Sequence, residues 1–348
     1  MTAAPAPLAQ RVVQWQRRHG RHDLPWQGTR DPYRIWLSEV MLQQTQVSSV
    51  LDYYARFLQR FPDVQALAAA PLDEVLAAWS GLGYYSRARN LHRCAQAVVT
   101  LHGGAFPRHS AQLALLPGIG RSTAAAVAAL AFGERAAILD GNVKRVLTRA
   151  LGFEGDLAGA AETRRLWSLA EGLLPARGMR AYTQGLMDLG ATLCTQRRPD
   201  CARCPLRDDC VALARGRPEA FPVKTRRLRR GRRDNVWLWL QHRGRHWLVQ
   251  RPARGVWAGL WALPEYAGPD DLAQATAGWP GQGQWLPAFE HVLTHFDWQL
   301  QPLAWHWPAG AAAPELGEGR WLTRDEALAL GLPAPVRRLL AGALAAAA

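Results

Sequence analysis

The stretch LPGIGRST at 116–123 joins two helical patterns, SAQLALL at 110–116 and STAAAVAAL at 122–130. A Gly-x-Gly between helices predicts a helix-hairpin-helix, because Gly118 and Gly120 allow a tight turn and a close approach of the backbone to another group. The free N–H groups that open the second helix favour a phosphate as that group. Glycines also make tight turns that bind nothing, so the motif alone leaves DNA backbone binding and a purely structural turn open.

The composition divides the chain into a helical part and a β-rich part. Residues 1–222 show apolar positions three and four apart, interrupted by short Gly and Pro breaks, which predicts helices. In the linker at 223–233, seven of the ten residues 224–233 are basic and none is acidic, so it is either solvated or in contact with phosphates. From residue 234 the patterns VWLWLQ and HWLVQR alternate with turns, and eleven of the sixteen tryptophans follow.

The bulk properties indicate a soluble protein with a polyanionic partner. The 348 residues are 49% apolar, enough for real cores, and the net charge of +14 favours nucleic acid, although an arginine-rich composition could supply part of it. No apolar run approaches the roughly 20 residues that span a bilayer. The N-terminus MTAAPAPLAQRVVQW lacks the apolar core of a signal peptide. We therefore expect a cytoplasmic, nucleoid-associated protein without membrane contact.

Four cysteines within seventeen residues form the most specific chemical pattern, with the spacing C-x6-C-x2-C-x5-C: Cys194, Cys201, Cys204 and Cys210. Arginines in the same stretch would favour the thiolate form. Disulfides require an oxidising compartment, which the N-terminus does not indicate. Structural zinc sites usually have two C-x2-C pairs, so one pair with unequal flanks favours an iron–sulfur cluster, with zinc as the alternative.

Two carboxylates stand at helix positions suited to catalysis. In ILDGNVKR at 138–145, Asp140 or Asn142 could simply cap the next helix, but the helix dipole would also keep Asp140 ionised to face developing positive charge. In the stretch at 31–47, Asp31 caps and Pro32 opens a helix, which puts Glu39 two turns in, either on a solvated face or as a desolvated acid. An uncharged polar run follows that could fill the space left by an extruded base: Gln43, Gln44, Thr45 and Gln46.

Together these stretches resemble the adenine DNA glycosylases of the MutY type, within the helix-hairpin-helix superfamily. The resemblance rests on LPWQ at 24–27, WLSEVMLQQTQV at 36–47, GLGYYSRARNLH at 81–92, LPGIGRST, ILDGNVKRVL at 138–147, MDLGATLC at 187–194 and the cysteine spacing, with GVWAGLWALPE at 255–265 and FEHVLTHFDWQL at 289–300 beyond the linker. It implies an all-α glycosylase domain with a six-helix part at about 30–135 and an iron–sulfur subdomain at 1–29 and 136–222. A C-terminal α/β Nudix-like domain at 234–348 would follow.

The resemblance also implies roles for individual residues. Glu39 would be the general acid, Asp140 would stabilise the oxocarbenium-like sugar directly or through a covalent intermediate, and Asn142 would support the site. Trp26 and Gln184 would border the adenine, Gln43, Gln44 and Tyr84 would insert around the lesion, and the four cysteines would bind a [4Fe-4S] cluster. The remaining expected DNA contacts are Thr45, Gly118, Gly120, Lys144 and Arg197.

The chemistry sets a requirement for Glu39. Adenine leaves readily only after a ring nitrogen is protonated, and a glutamate at its reference pKa of about 4.3 is neutral in only about one molecule in 500 at pH 7, a deficit of roughly 3.7 kcal/mol. Apolar neighbours and a second carboxylate would both raise that pKa and leave Asp140 as the ionised partner.

Position 122 bears on the reaction type. Bifunctional relatives such as endonuclease III carry a lysine there that attacks the sugar, whereas this chain has Ser122. We therefore expect a monofunctional enzyme that leaves an abasic site, although Ser122 could also have no chemical task. The alternatives are a pyrimidine-lesion glycosylase-lyase and a non-catalytic iron–sulfur DNA-binding protein.

The second domain resembles a Nudix fold without the glutamate-rich metal box, since YAGPDDLAQATAGW follows Glu265. In the family this domain recognises 8-oxoguanine through a Phe-Ser-His loop, and this chain has Leu293, Thr294 and His295 there. Thr294 keeps the hydroxyl, the aromatic at 293 is lost, and both Thr294 and His295 could be ordinary turn residues. The expected partner is double-stranded DNA with 8-oxoguanine:adenine or G:A mispairs, bound by a monomer that replication or repair proteins could also contact.

Overall fold

A computed structural model describes residues 7–225 and 230–342. The chain forms two compact units, Met1–Ala68 with Arg93–Arg227, and Ala69–His92 with Leu228–Ala348. Composition did not separate Ala69–His92 from the helical part. Its polar groups explain where it belongs: Tyr85 Oη and Ser80 Oγ donate to the Leu332 carbonyl at 3.0 and 3.1 Å, and Arg89 Nη1 donates to the Ala258 carbonyl at 2.6 Å.

Helices account for nearly all regular structure before residue 225, as the apolar periodicity predicted. They are α1 Leu8–His19, α2 Pro32–Met41, α3 Val47–Arg60, α4 Val64–Ala69, α5 Leu72–Ala78, α6 Ser86–His102, α7 Ser110–Leu113, α8 Arg121–Val127, α9 Gly141–Leu151, α10 Ala160–Gly172, α11 Met179–Thr192 and α12 Val211–Ala214. Short 3-10 turns lie at Arg207–Asp209 and Pro218–Ala220.

The hairpin expected from LPGIGRST joins α7 to α8. Gly118 has φ +74°, a conformation that glycine adopts without steric cost, and Gly120 precedes α8 as its N-cap. The helical pattern continues past α8 as a π-helical segment, Ala128–Phe132, which ends at Gly133 in a left-handed conformation. The predicted helix-hairpin-helix is therefore present, with a change of helix type in its second helix.

One hydrophobic core of the first unit lies between α1, α9 and α11. Val12, Val143, Leu147, Leu186 and Leu189 are buried in it, each contributing apolar area that is removed from water on folding. This packing fixes the first turn of α9, which carries Asp140 and Asn142, and the end of α11, which leads to Cys194.

An eight-stranded mixed sheet forms the second unit, with the order β3-β2-β1-β7-β5 and β4, β6 and β8 paired to β1, β7 and β2. The strands are β1 Gly231–His242, β2 Arg245–Gln250, β3 Trp261–Ala262, β4 Glu265–Tyr266, β5 Gln282–Trp285, β6 Phe289–Val292, β7 Phe296–His306 and β8 Arg320–Thr323. Only β1 and β7 pair in parallel among the described strands. The helices of this part are α13 Pro269–Ala275, α14 Arg324–Leu328 and α15 Ala334–Leu340.

The predicted linker at 223–233 is shorter than composition suggested. β1 begins at Gly231, so Arg232 and Arg233 belong to a strand, because they pair with Asp297 and Trp298 of β7. The linker residues 226–229 lie outside the described residues. In the described parts of the chain, no helix has both the length and the apolar character needed to cross a membrane.

One close contact between α11 and α9 predicts a measurable change in stability. A Cβ added to Gly190 would lie 2.6 Å from the Asn142 Cβ and 3.1 Å from its Cα. We expect Gly190→Ala to lower the free energy of unfolding by about 1–3 kcal/mol, because α9 and α11 cannot move apart without opening the core between them. Urea denaturation measures it.

The matched control is Gly172→Ala in α10, where an added Cβ meets nothing within 4 Å. That variant should be neutral or more stable by about 0.5–1 kcal/mol, since alanine favours the helix. A Gly190→Ala protein as stable as the wild type would contradict the contact.

Candidate active site

A cavity of about 880 Å³ in the first unit brings together nine of the residues predicted from sequence. They come from five separate stretches and are Trp26, Glu39, Gln43, Gln44, Thr45, Ser122, Asp140, Asn142 and Gln184. The cavity lies within the size range of sites that bind small molecules or single bases. Gly118, Gly120 and Lys144 do not line it, and neither does Arg197.

Glu39 is positioned by the start of α2. The Tyr33 amide donates to Asp31 Oδ1 at 2.9 Å and Pro32 opens the helix, so the predicted cap is confirmed and Glu39 reaches the cavity wall two turns later. Burial raises the pKa of Glu39 to about 8, and the negative charge of Asp140 contributes in the same direction. At pH 7 a carboxyl with this pKa is about nine-tenths protonated, so Glu39 can donate a proton.

Asp140 is the N-cap of α9, rather than Asn142, and its Oδ1 accepts a hydrogen bond from the Val143 amide at 2.7 Å. Burial raises the pKa of Asp140, but the amides of Val143 and Asn142 and the charges of Arg145 and Lys144 act against that rise. These groups stabilise the anion. Asp140 therefore has groups around it that stabilise its anion, and its negative charge helps to raise the pKa of Glu39.

Asn142 is held by Arg145, a residue that the sequence analysis missed. Arg145 Nη2 donates to Asn142 Oδ1 and to the Gly190 carbonyl, both at 2.7 Å, and its Nε donates to the Cys194 carbonyl at 2.7 Å. One guanidinium thus links the start of α9, the end of α11 and the first cysteine. The i, i+3 spacing from Asn142 within the quoted motif was the available signal.

Ser122 has a definite structural contact. Its Oγ accepts a hydrogen bond from the Leu139 amide at 3.0 Å, which satisfies a backbone donor directly before Asp140. The side chain of the neighbouring Thr123 accepts from Gln43 Nε2 at 3.4 Å. Ser122 therefore stabilises the segment that presents Asp140.

Gln27, the last residue of LPWQ, is a second cavity residue that the sequence analysis did not assign. Both its Nε2 and its Oε1 are buried and have no hydrogen-bond partner among the described residues. An amide left unpaired in this way costs about 1–3 kcal/mol, which a bound ligand could recover. Its position directly after Trp26 was the signal in the sequence.

Two residues expected to insert around the lesion have an unusual backbone conformation. Gln44 has φ +57° and Tyr84 has φ +48°, and Tyr84 is among the exposed large side chains. Left-handed conformations are uncommon for residues other than glycine and tend to occur at functional sites. Arg198 in the cysteine loop shares this conformation, with φ +50°.

The second unit contains its own cavity, of about 490 Å³, near the predicted lesion-reading loop. Leu293, Thr294, His295 and Tyr84 all line it, together with Trp257. Tyr84 Oη and Thr294 Oγ1 are 3.1 Å apart, so the two hydroxyl groups are hydrogen-bonded to each other. Both residues were predicted from sequence, and this unit brings them into contact.

The four predicted cysteine ligands interact electrostatically with one another. Burial raises the pKa of Cys204 to about 12, and the charges of Cys194, Cys210 and Cys201 add to the rise. In residues 7–225 and 230–342, no three His, Cys, Asp or Glu side chains are arranged to hold one metal ion. The fifth cysteine, Cys94, is fully buried in α6, as expected for a small apolar side chain.

Buried Arg149 organises the loop between the first two cysteines. Its Nη1 donates to Cys194 Sγ at 3.4 Å and to the Thr195 carbonyl at 2.6 Å, and its Nη2 donates to the Gln196 carbonyl at 3.1 Å. A cation beside the thiols favours their charged, metal-binding form. Arg149 therefore holds the loop between Cys194 and Cys201 through its side chain.

Comparisons with known proteins agree with this geometry. The profile of the HhH-GPD superfamily of base excision DNA repair proteins matches residues 37–171, and a NUDIX domain profile matches residues 235–342. An adenine DNA glycosylase of Buchnera aphidicola subsp. Acyrthosiphon pisum is 33% identical over 96% of both chains. The adenine DNA glycosylase of Mus musculus is 35% identical over 88% of this chain and 72% of the mouse protein.

Among solved structures, a thermostable thymine-DNA glycosylase superimposes with a TM-score of 0.53 at 32% identity, covering 60% of this chain and 95% of its own. The two domain types predicted from sequence, a helical helix-hairpin-helix domain and a Nudix-like α/β domain, are confirmed. With relatives matched over nearly the whole length, this chain belongs to the adenine DNA glycosylases, enzymes of base excision repair.

Proposed function

We propose that this glycosylase removes adenine paired with 8-oxoguanine or guanine in double-stranded DNA and leaves an abasic site, with Glu39 as acid and Asp140 as anion. The observation that carries the proposal is the pair of carboxyls in one cavity, where burial and Asp140 raise the pKa of Glu39 to about 8. Two carboxyl groups with pKa values pushed apart are the usual arrangement for cleaving a glycosidic bond.

The reaction follows from a neutral Glu39 and an ionised Asp140. Glu39 transfers its proton to a ring nitrogen of the flipped adenine, the N-glycosidic bond breaks, and the bonding electrons leave with the neutral base. Asp140 faces the positive charge that develops on the sugar, where a fixed anion lowers the barrier. Water then adds to the sugar and loses a proton to the Glu39 carboxylate, which restores the acid.

Adenine must first leave the duplex, at a cost of a few kcal/mol that is smaller at a mispair. Gln43 and Gln44 are suited to fill the vacated space with polar groups, and Gln44 has a left-handed backbone conformation. Tyr84 would insert around the lesion. Trp26 and Gln184 would border the extruded base. Gln27 would offer its unpartnered amide to the same base.

Backbone contacts would supply affinity without sequence preference. We assign them to the hairpin at Gly118 and Gly120, to Thr45 and Lys144, and to the cysteine loop with Arg197. The net charge of +14 supports this assignment, because phosphate neutralisation dominates DNA affinity. Binding should therefore weaken steeply with salt.

The lesion would be read in the second unit. Thr294 and His295 lie with Tyr84 on one cavity, which offers hydroxyl and imidazole groups to an oxidised purine. Without the aromatic at 293, this hydroxyl and imidazole chemistry would carry the discrimination. The same domain lacks the glutamate-rich box for pyrophosphate hydrolysis, so recognition is its remaining task.

We also propose that Cys194, Cys201, Cys204 and Cys210 hold a [4Fe-4S] cluster, which would stabilise the loop that carries Arg197. The support is the spacing C-x6-C-x2-C-x5-C, which has one C-x2-C pair and unequal flanks where structural zinc sites usually have two such pairs. The Arg149 guanidinium beside Cys194 would favour a thiolate there. No catalytic step needs the cluster.

The acid role of Glu39 predicts the pH dependence of adenine release. The protonated form is required, and it is present below the pKa of about 8, so the single-turnover rate should fall about tenfold per pH unit above pH 8. Quenched-flow or gel assays on an 8-oxoguanine:adenine duplex measure it.

Glu39→Gln is the control, because it should bind the duplex as tightly as the wild type and release no adenine. Borohydride added to the wild-type reaction should trap no covalent DNA adduct, since Ser122 offers no amine. A rate that declines already above pH 5, or a stoichiometric adduct, would contradict the proposal; the adduct would favour a glycosylase-lyase.

Thr294→Ala should lower the preference for 8-oxoguanine over guanine opposite adenine. Loss of one neutral hydrogen bond of about 0.5–1.5 kcal/mol corresponds to a roughly 2- to 12-fold fall in the ratio of the two release rates. Thr294→Ser keeps the hydroxyl and should keep the ratio. If both variants behave like the wild type, the lesion is read elsewhere.

The cluster assignment predicts the metal content of the purified protein. The wild type should carry iron and acid-labile sulfide in equal amounts, Cys204→Ser should lose both, and Cys94→Ala should keep both because Cys94 lies outside the set. Elemental and sulfide analysis measures this. Zinc without sulfide in the wild-type protein would refute the cluster.

A further inference from the structure

A buried carboxylate lies directly behind the cavity wall formed by α11. Asp188 is completely buried, and its Oδ1 accepts hydrogen bonds from Arg21 Nε at 2.8 Å and from Gln184 Nε2 at 3.0 Å. Its Oδ2 accepts from the Arg21 amide at 3.1 Å. Gln184 precedes Asp188 by one helical turn and, unlike Asp188, lines the cavity.

This arrangement fixes the orientation of the Gln184 amide. An ionised carboxylate can only accept hydrogen bonds, so Gln184 must direct its NH₂ group towards Asp188. The other end of the amide, the acceptor Oε1, is then the end available to the cavity. Without a carboxylate behind it, the amide could rotate by half a turn and offer a donor instead, since its two ends have nearly the same shape.

We propose that Asp188 is a positioning residue that determines base specificity: it holds Gln184 with its acceptor towards the base, so that an exocyclic amine is accepted and a carbonyl in the same place is rejected. The inference rests on the proposed function, in which this cavity receives the flipped base. Adenine carries an amine at the position where hypoxanthine and guanine carry a carbonyl oxygen. A carbonyl oxygen of the base facing Gln184 Oε1 would leave both acceptors unpaired in a buried site. Unpaired buried polar groups allow a pocket to discriminate strongly between two bases.

Arg21 is the third residue of this hydrogen-bonded group. Its guanidinium pairs with Asp188 and balances the buried negative charge, and its own backbone amide is satisfied by the same carboxylate. Because Arg21 follows α1, the pair also ties that segment to α11. If Asp188 were purely structural, its substitution would lower the release rates of all bases alike. In the proposed role, its substitution changes the ratio of the release rates of two bases.

The test compares single-turnover release of adenine and of hypoxanthine, each opposite 8-oxoguanine, by the full chain. In Asp188→Asn the new carboxamide can donate to Gln184 and turn its amide around, so the adenine-to-hypoxanthine ratio should fall about tenfold or more. In the double variant Asp188→Asn with Gln184→Glu, the carboxamide introduced at position 188 donates to the carboxylate introduced at position 184. The second oxygen of that carboxylate is again an acceptor facing the base, so the ratio should return to within about threefold of the wild type.

Gln184→Met keeps the Arg21–Asp188 pair and removes the acceptor. Its ratio of adenine to hypoxanthine release should therefore fall, and this result is informative even if Asp188→Asn does not fold. Equal losses for both bases in Asp188→Asn, an unchanged ratio in Gln184→Met, or no recovery in the double variant would each overturn the inference. Failure of the wild type to release adenine at all would instead refute the proposed function.

Discussion

The interaction on which the rest of the structure depends is the one between the carboxyl groups of Glu39 and Asp140. A single cavity must keep one of them neutral and the other charged at neutral pH. Burial raises the pKa of both, and at Asp140 two backbone amides and two cations act against that rise. The charge on Asp140 then contributes to keeping the proton on Glu39. In the proposed reaction, Glu39 is the acid and Asp140 is the counter-charge.

Much of the first unit serves to hold Asp140 in place. The carboxylate caps α9, Ser122 satisfies the amide just before it, and Arg145 connects the next polar residue, Asn142, to Gly190 and Cys194. One turn further along α9, Arg149 binds the loop after Cys194. The proposed metal cluster in that loop would therefore be linked to α9 through Arg145 and Arg149.

Local rules predicted the elements that place the site. Asp31 and Pro32 mark the start of α2, and Asp140 caps α9, because caps depend on neighbours within one turn. The tight turn expected at the hairpin is also present, with Gly118 in a left-handed conformation. The roles of Glu39 and the cysteines required the resemblance, since spacing alone left a solvated glutamate and a zinc site open.

Features that depend on distant contacts could not be read from sequence. The Arg21–Asp188–Gln184 group joins residues 167 positions apart, and nothing local marks a buried carboxylate. The assignment of Ala69–His92 to the second unit follows from hydrogen bonds to Leu332 and Ala258, which composition does not reveal. The start of β1 at Gly231 depends on pairing with β7, and strand pairing overrode a basic, linker-like composition.

The most direct test is to measure the pKa of Glu39 itself. Carbon-13 NMR of protein labelled at the glutamate side-chain carboxyl, assigned by difference from Glu39→Gln, gives this value without any assay of turnover. We predict that Glu39 titrates near pH 8. Titration near the ordinary glutamate value of about 4.3 would contradict it, because Glu39 would then be ionised at neutral pH and could not protonate the base.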